Sequence, residues 1–319
     1  MKIKSGMIHP QLRLHGILLR TLWGSFSQRK FRLCNWFLDS FMKGRCSLKK
    51  MFYHQVLIPR PDGSFLRLCV YTPRTASEDM PALLWLHGGG FGLGIPEQDE
   101  DFFRIFSDAA PCAIVAPDYT RSVDKPYPAA LDDCYQALLW MRDNCSSLRC
   151  NPSRLFAGGD SAGGGLCAAV SLLSRDRGEV SIAFQMPLYP MLDDRTSDFN
   201  DAPCWNSKSN EIGWKLYLGE AWGTPDVCKL AAPARETDFT GLPRTLTFCG
   251  DIEPFCNETE RYVQCLKDAG IEVDFRLYPK CYHAFDTICP GSEPARDSRA
   301  FLSEGFARAS RECSKAQPE

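Results

Sequence analysis

The sequence predicts an α/β fold with a mostly parallel, eight-stranded sheet and helices on both faces. Three observations predict it. After residue 50, short apolar runs alternate with longer amphipathic stretches, the pattern of strand–helix–strand units. The later runs are continuously apolar, as strands buried on both faces must be. The composition, 44% hydrophobic and 24% charged over 319 residues, is that of a globular chain long enough for one large core.

The first strand is expected at 52–58 (FYHQVLI) and the second at 64–71 (SFLRLCVY). Pro61-Asp62-Gly63 between them supplies turn chemistry, so the two should pair as a hairpin. Further strands are expected at 82–86, 112–116, 154–157, 182–188, 245–249 and 272–278, with helices at 129–145, 162–176, 256–269 and 297–312. Pro128 opens the first of these helices, where its missing N–H costs nothing, and Gly270 follows the third, where a left-handed cap belongs. Two segments break the pattern. Residues 1–50 are helical and basic, and residues 190–235 carry Phe199, Trp205, Trp214, Tyr217 and Trp222 without strand alternation. Additions to such sheets tend to lie over the carboxyl ends of the strands, where ligands bind. The expected organisation is therefore a helical cap segment at 1–50 and a main domain at 51–319, the latter with a cap insertion at about 190–235.

Charge and composition exclude several classes. Residues 1–50 hold eleven Lys and Arg against Asp39 alone, so they carry +10 while the rest of the chain carries −12. The whole chain is not a nucleic-acid binder by charge, although its first part suits an acidic membrane face in peripheral contact. There Leu12, Leu14, Ile17, Leu18 and Leu22, with Arg13 and Arg20 among them, form a broad apolar stripe. Such a stripe more often packs on its own domain than on a bilayer. No run approaches the roughly 18 to 20 apolar residues of a membrane span. The sixteen cysteines are scattered through apolar runs without metal-ligand spacing, and the start lacks a secretory signal pattern, so a reducing cytoplasm is expected.

The chemistry concentrates in a few motifs. Gly159-Asp160-Ser161-Ala162-Gly163 follows a strand and opens an Ala-rich helix, the context of a serine nucleophile held on a sharp, strained turn. Upstream, directly after ALLWL, lies His87-Gly88-Gly89-Gly90-Phe91. Successive glycines let backbone N–H groups converge on one spot, which suits stabilisation of an oxyanion; the expected donors are Gly88, Gly89 and Ala162. A serine hydroxyl needs a base. Of the five histidines, only His283 lies beyond Ser161, as the order serine, acid, histidine requires. His87 is assigned instead to orienting the glycine turn. The acid should follow TLTFC, where Asp251, Glu253 and Glu258 all qualify.

With these residues assembled, the sequence resembles the hormone-sensitive-lipase-like family of α/β-hydrolases, the bacterial esterase branch also related to arylacetamide deacetylase. The likeness covers roughly residues 50–315. It rests, in order, on HGGGF at 87–91, PDYTRSVDKPYPAALDDC at 117–134, GDSAGG at 159–164, LYPMLDD at 188–194, EPFCNE at 253–258 and His283-Ala284-Phe285. Around its acid the family usually shows D-P-x-x-D-E, whereas here Glu253 replaces the first Asp and Asn257 the second. Pro254 fixes the alignment, so the resemblance implies Glu253 as the acid, with Asp251 as the alternative. It also implies a cap made of N-terminal helices and a later insertion.

The reading is a serine carboxylesterase for short-to-medium acyl esters, working through an acyl-enzyme with Ser161, His283 and Glu253. Phe91, Asp160, Tyr189, Trp205 and Trp214 are expected around the substrate. No metal or organic cofactor is called for, and the partner is a small-molecule ester. The oligomeric state is open between monomer and homodimer. An amidase or deacetylase with the same triad is the alternative. A non-catalytic binding protein on this fold is the other, and retention of His283 speaks against it.

Overall fold

The structure, a computed structural model, describes residues 2–75, 78–195 and 200–315. The chain begins with α1 (Arg13–Leu18), which continues as a π-helical turn over Leu19–Trp23, and then α2 (Gln28–Phe41). The hairpin strands β1 (Met51–Pro59) and β2 (Phe65–Pro73) follow, paired from Met51 with Pro73 to Pro59 with Phe65. Gly63 takes φ 83° in the turn, a conformation that favours glycine.

Next come β3 (Met80–Leu86), α3 (Glu100–Ala109), β4 (Ala113–Pro117), α4 (Ala129–Asp143), the short α5 (Cys145–Leu148), β5 (Cys150–Asp160) and α6 (Ala162–Arg177). The remainder is β6 (Phe184–Leu188), α7 (Ser207–Leu218), β7 (Arg244–Gly250), α8 (Cys256–Asp268), β8 (Val273–Tyr278), the short α9 (Phe285–Ile288) and α10 (Glu293–Lys315). Gly270, at φ 79°, ends α8 with its N–H on the Lys267 carbonyl. Phe199 lies outside the described residues.

The eight strands form one sheet in the order β1-β2-β4-β3-β5-β6-β7-β8. Only β2 runs against the others. Side chains alternate between the faces: Ala82, Leu84 and Leu86 of β3 enter one core with α4 and α6, while Leu83 and Trp85 enter another with α3 and α10. All eight expected strands are present. Helix α3 was not anticipated, because its Glu, Asp and Arg residues mask Phe102, Phe103 and Phe106, whose helical spacing builds the second core.

The two segments that break the pattern meet each other. Phe26 N–H donates to Ser209 Oγ at 2.9 Å, and the Phe26 ring lies 5.2 Å from Phe31 and 5.4 Å from Trp205. Together they sit over loops at the carboxyl ends of strands. His9 N–H donates to the Lys280 carbonyl after β8, and the 203–205 segment approaches the turn after β3 so closely that a Cβ on Gly90 would lie 2.3 Å from the Trp205 ring. The expected apolar stripe of residues 12–22 divides: Leu12 is buried, whereas Leu14, Leu18 and Leu22 face solvent.

Asn35, buried on the inner side of α2, joins that helix to the turn after β3. Its Nδ2 donates to the Gly92 carbonyl at 3.0 Å, and its Oδ1 accepts from Gly94 N–H at 3.2 Å. Asn35→Ala leaves both backbone groups unpaired out of water, so chemical denaturation should show a loss of about 2–4 kcal/mol. A loss below about 0.5 kcal/mol would mean that water takes over both bonds.

Candidate active site

Ser161 stands between the end of β5 and the start of α6 at φ 56°, ψ −118°, a backbone conformation that non-glycine residues avoid. The flanking glycines make the turn feasible. A Cβ on Gly163 would lie 1.9 Å from the Leu86 carbonyl oxygen, and one on Gly159 would lie 2.5 Å from the same atom. The Ser161 N–H donates to the Leu188 carbonyl at 2.9 Å and its own carbonyl accepts from Met191 at 3.0 Å, so backbone on both sides holds the strained residue.

Ser161 Oγ lies 2.8 Å from His283 Nε2. His283 Nδ1 meets Glu253 Oε2 in a short contact, and Glu253 Oε1 accepts from Gly250 N–H at 2.7 Å. All three side chains are buried. The edge-on rings of Tyr189 and Phe255, each 5.0 Å from the imidazole, confine its plane. Asp251 lies apart from this line. Its Oδ1 accepts from Lys280 N–H at 2.5 Å, which pins the loop that carries His283, and burial raises its pKa. Glu258 accepts from Leu192 N–H at 2.8 Å, and burial pushes its pKa well above the usual carboxylate range.

The glycine turn is fixed from several sides. His87 Nδ1 lies 2.9 Å from the Gly88 carbonyl, and its ring stacks on Tyr119 at 4.1 Å. Burial lowers the His87 pKa to about 4, so near neutral pH the ring is uncharged and Nδ1–H is the donor. The Gly88 N–H turns towards the Asp160 carboxylate, and a Cβ on Gly88 would overlap Asp160 Oδ2 at 2.3 Å. Among the described residues, no hydrogen bond occupies the N–H groups of Gly89, Gly90 or Ala162.

The half-buried Asp160 and two buried acids surround the site. Burial pushes Asp160 up to about 6 against the opposing pull of His283 and Gly88. Asp99, which accepts from Trp85 Nε1 at 2.8 Å, is raised further by burial and by the charge of Asp160. Asp286 is fully buried, and neither carboxylate oxygen has a hydrogen-bond partner among the described residues. Its pKa rises to about 7, through burial first and the Asp160 charge second, with Arg299 and His283 opposing. The sequence reading passed over Asp99 and Asp286. The available signal was a carboxylate set among apolar residues, Asp286 directly after His283-Ala284-Phe285.

The expected pocket residues fall differently. Tyr189 and Asp160 lie against the Ser161–His283 pair, whereas Phe91, Trp205 and Trp214 are spent in the core. Phe91 stacks on Tyr217 at 3.9 Å, and Trp214 lies 5.3 Å from Phe91. Their apolar area binds the 200–218 segment to the domain. An apolar groove of about 700 Å³ opens elsewhere, between α1, α2 and the loops after β3 and β8. Leu19, Phe26, Leu33 and Phe37 form its outer wall; Leu93 and Gln98 bring it to the glycine turn, and Ile288 to the His283 loop.

Comparison with known proteins shows the family. A family model described as an alpha/beta hydrolase fold matches residues 83–287. The chain belongs to the α/β-hydrolases. Its relatives within the family are of the hormone-sensitive-lipase-like kind. This α/β-hydrolase is 29% identical over 222 residues to carboxylesterase NlhH of Mycobacterium tuberculosis, covering 68% of this chain and 70% of that protein. It is 31% identical over 226 residues to an acetyl-hydrolase of Streptomyces hygroscopicus, covering 68% and 72%. Among solved structures it is similar to a bacterial heroin esterase, with TM-score 0.87, 30% identity and coverage of 96% of this chain and 99% of that one. Esterase LipW from Mycobacterium marinum gives TM-score 0.79 at 25% identity, with 96% of each chain covered.

Asp286 generates a pH prediction. Unfolded, its carboxyl loses its proton near pH 3.8; folded, it keeps it to about pH 7. Between these values the native state binds more protons, so raising the pH from 4 to 8 costs the native state about 4 kcal/mol through this group. Asp286→Asn removes that cost. Denaturant titrations should therefore show the variant gaining on wild type by about that amount across the window, and a pH-independent difference would contradict a buried, titrating Asp286.

Proposed function

We propose that this α/β-hydrolase cleaves carboxylic esters through a covalent acyl-enzyme on Ser161. One observation carries the reading: Ser161 Oγ stands 2.8 Å from His283 Nε2 while His283 Nδ1 is held by a buried carboxylate. In the neutral tautomer set by Glu253, Nδ1 bears the proton and Nε2 has a free lone pair aimed at the hydroxyl. Ser161 Oγ attacks the ester carbonyl as Nε2 takes its proton. The imidazolium, stabilised by Glu253, then protonates the leaving alcohol, and a water activated by the same nitrogen releases the acid.

The developing oxyanion needs donors that are not already engaged. Gly88, expected in this role, lies against the Asp160 carboxylate, where a Cβ would fall 2.3 Å from Oδ2. The better-supported set is therefore Gly89 and Gly90 with Ala162, which opens α6 and adds the positive end of that helix. Asp251 acts indirectly by anchoring the Lys280 end of the His283 loop.

For the substrate, the apolar groove supports neutral esters with short-to-medium acyl chains. The relatives' names agree in kind: carboxylesterase, acetyl-hydrolase and heroin esterase. Amide hydrolysis would use the same atoms. No feature of the site favours it.

Ser161→Ala should lower kcat on a chromogenic butyrate ester by roughly 10⁴-fold or more without unfolding the chain. Glu253→Gln keeps the shape but loses the charge that supports the imidazolium, so kcat should fall roughly 10²- to 10⁴-fold. Asp251→Asn should chiefly reduce stability. If Asp251→Asn harms kcat more in a folded protein while Glu253→Gln stays near wild type, Glu253 is not the acid. In a chain-length series, kcat/KM should peak at or below about eight acyl carbons; a higher value on emulsified long-chain triglycerides than on soluble butyrate would contradict the substrate reading.

A further inference from the structure

An ordinary surface helix buries its apolar side and shows water its polar side. The two N-terminal helices depart from that rule. In α2 only Phe31 and Asn35 are buried, and Leu33, Trp36 and Phe41 face outward, Leu33 at 64% exposure and Trp36 at 61%. In α1 and the turn after it, Leu14, Leu18 and Leu22 recur every four residues on the solvent side, and Leu22 is 80% exposed.

The same stretch is cationic. From Arg13 to Phe41 there are five Lys and Arg residues and one acid, Asp39, which is already engaged by Arg121 at 3.1 Å and Lys43 at 3.8 Å. Among the described residues, Arg13 and Arg32 donate only to the backbone carbonyls of Ile8 and Val123. Among the described residues, Arg13, Arg29 and Arg32 form no ion pair with a carboxylate. An exposed apolar ridge flanked by uncompensated arginines is complementary to one kind of surface: acyl chains beneath a layer of negative headgroups.

We propose that α1, α2 and the turn between them dock this protein on an anionic lipid surface. The occupant is a bilayer and not a second copy, because two copies meeting through this face would bring two cationic, acid-poor surfaces together with no carboxylate free to pair them. No helix among the described residues is long and apolar enough to cross a membrane, so the contact is one that lies on the bilayer. The docking face is continuous with the groove. Leu33 and Trp36 belong to both, so a docked molecule opens its groove onto the interface, where apolar esters concentrate. That last step rests on the esterase reading; the docking itself does not.

The test is co-sedimentation of the full chain, carrying Ser161→Ala so that no turnover intervenes, with vesicles of phosphatidylcholine alone or with about 30% phosphatidylglycerol. Binding should be at least tenfold stronger to the anionic vesicles and should weaken as salt rises. Leu14→Glu with Leu22→Glu, or Phe41→Glu alone, should reduce it at least tenfold. In a chain with intact Ser161, the same substitutions should leave kcat/KM on a soluble butyrate ester within about threefold, because these side chains lie outside the groove and the catalytic line. No binding at low salt, equal binding to both vesicles, or binding unaffected by the substitutions would overturn the proposal. So would a micromolar dimer that Leu14→Glu with Leu22→Glu dissociates, which would assign the face to a second copy. Loss of esterase activity without loss of vesicle binding would refute the reaction reading alone.

Discussion

The arrangement depends on one close approach of backbone to backbone. Strands β3 and β5 are parallel neighbours, with Leu86 opposite Gly159, and the turn that follows β5 lies directly on the carbonyls that end β3. A methyl group at Gly163 would sit 1.9 Å from the Leu86 oxygen and 2.6 Å from the His87 oxygen. Because nothing larger than hydrogen fits there, the serine turn and the glycine turn are held as one unit. Ser161, at positive φ, is the strained member of that unit. The strain is held by the pairing of its N–H with Leu188 and its carbonyl with Met191.

That unit is surrounded by groups that are costly to bury. His87 is neutral and stacked, Asp160 is squeezed between Gly88 and Asp99, and Asp286 has no hydrogen-bond partner among the described residues. Burial raises the pKa of both Asp160 and Asp286. A positive charge on His283 opposes that rise at both carboxyls.

Much of this was legible in the sequence, for identifiable reasons. Strands buried on both faces write themselves as continuous apolar runs, and all eight were found. Ser161 and His283 were legible because glycine spacing and chain order are local or one-dimensional signals. The choice among Asp251, Glu253 and Glu258 was not, since all three follow β7 and only the path of the loop separates a carboxylate at His283 from one spent on Lys280 N–H or Leu192 N–H. The surroundings of Ser161 were less legible because aromatic content cannot distinguish a wall from a core: Phe91, Trp205 and Trp214 pack inward, while Leu33, Trp36 and Phe37 of α2 line an apolar groove. Helix α3 was missed because its charged outer face hid three core phenylalanines.

The central claim is that a single buried line, Glu253–His283–Ser161, makes one serine nucleophilic. A fluorophosphonate probe followed by peptide mass mapping tests it most directly, since the reagent bonds covalently to the activated hydroxyl. One adduct per chain is expected, on Ser161, formed at a rate that drops sharply when His283 is replaced by Gln. An adduct on another serine, or continued ester hydrolysis by a chain whose Ser161 is fully modified, would contradict it.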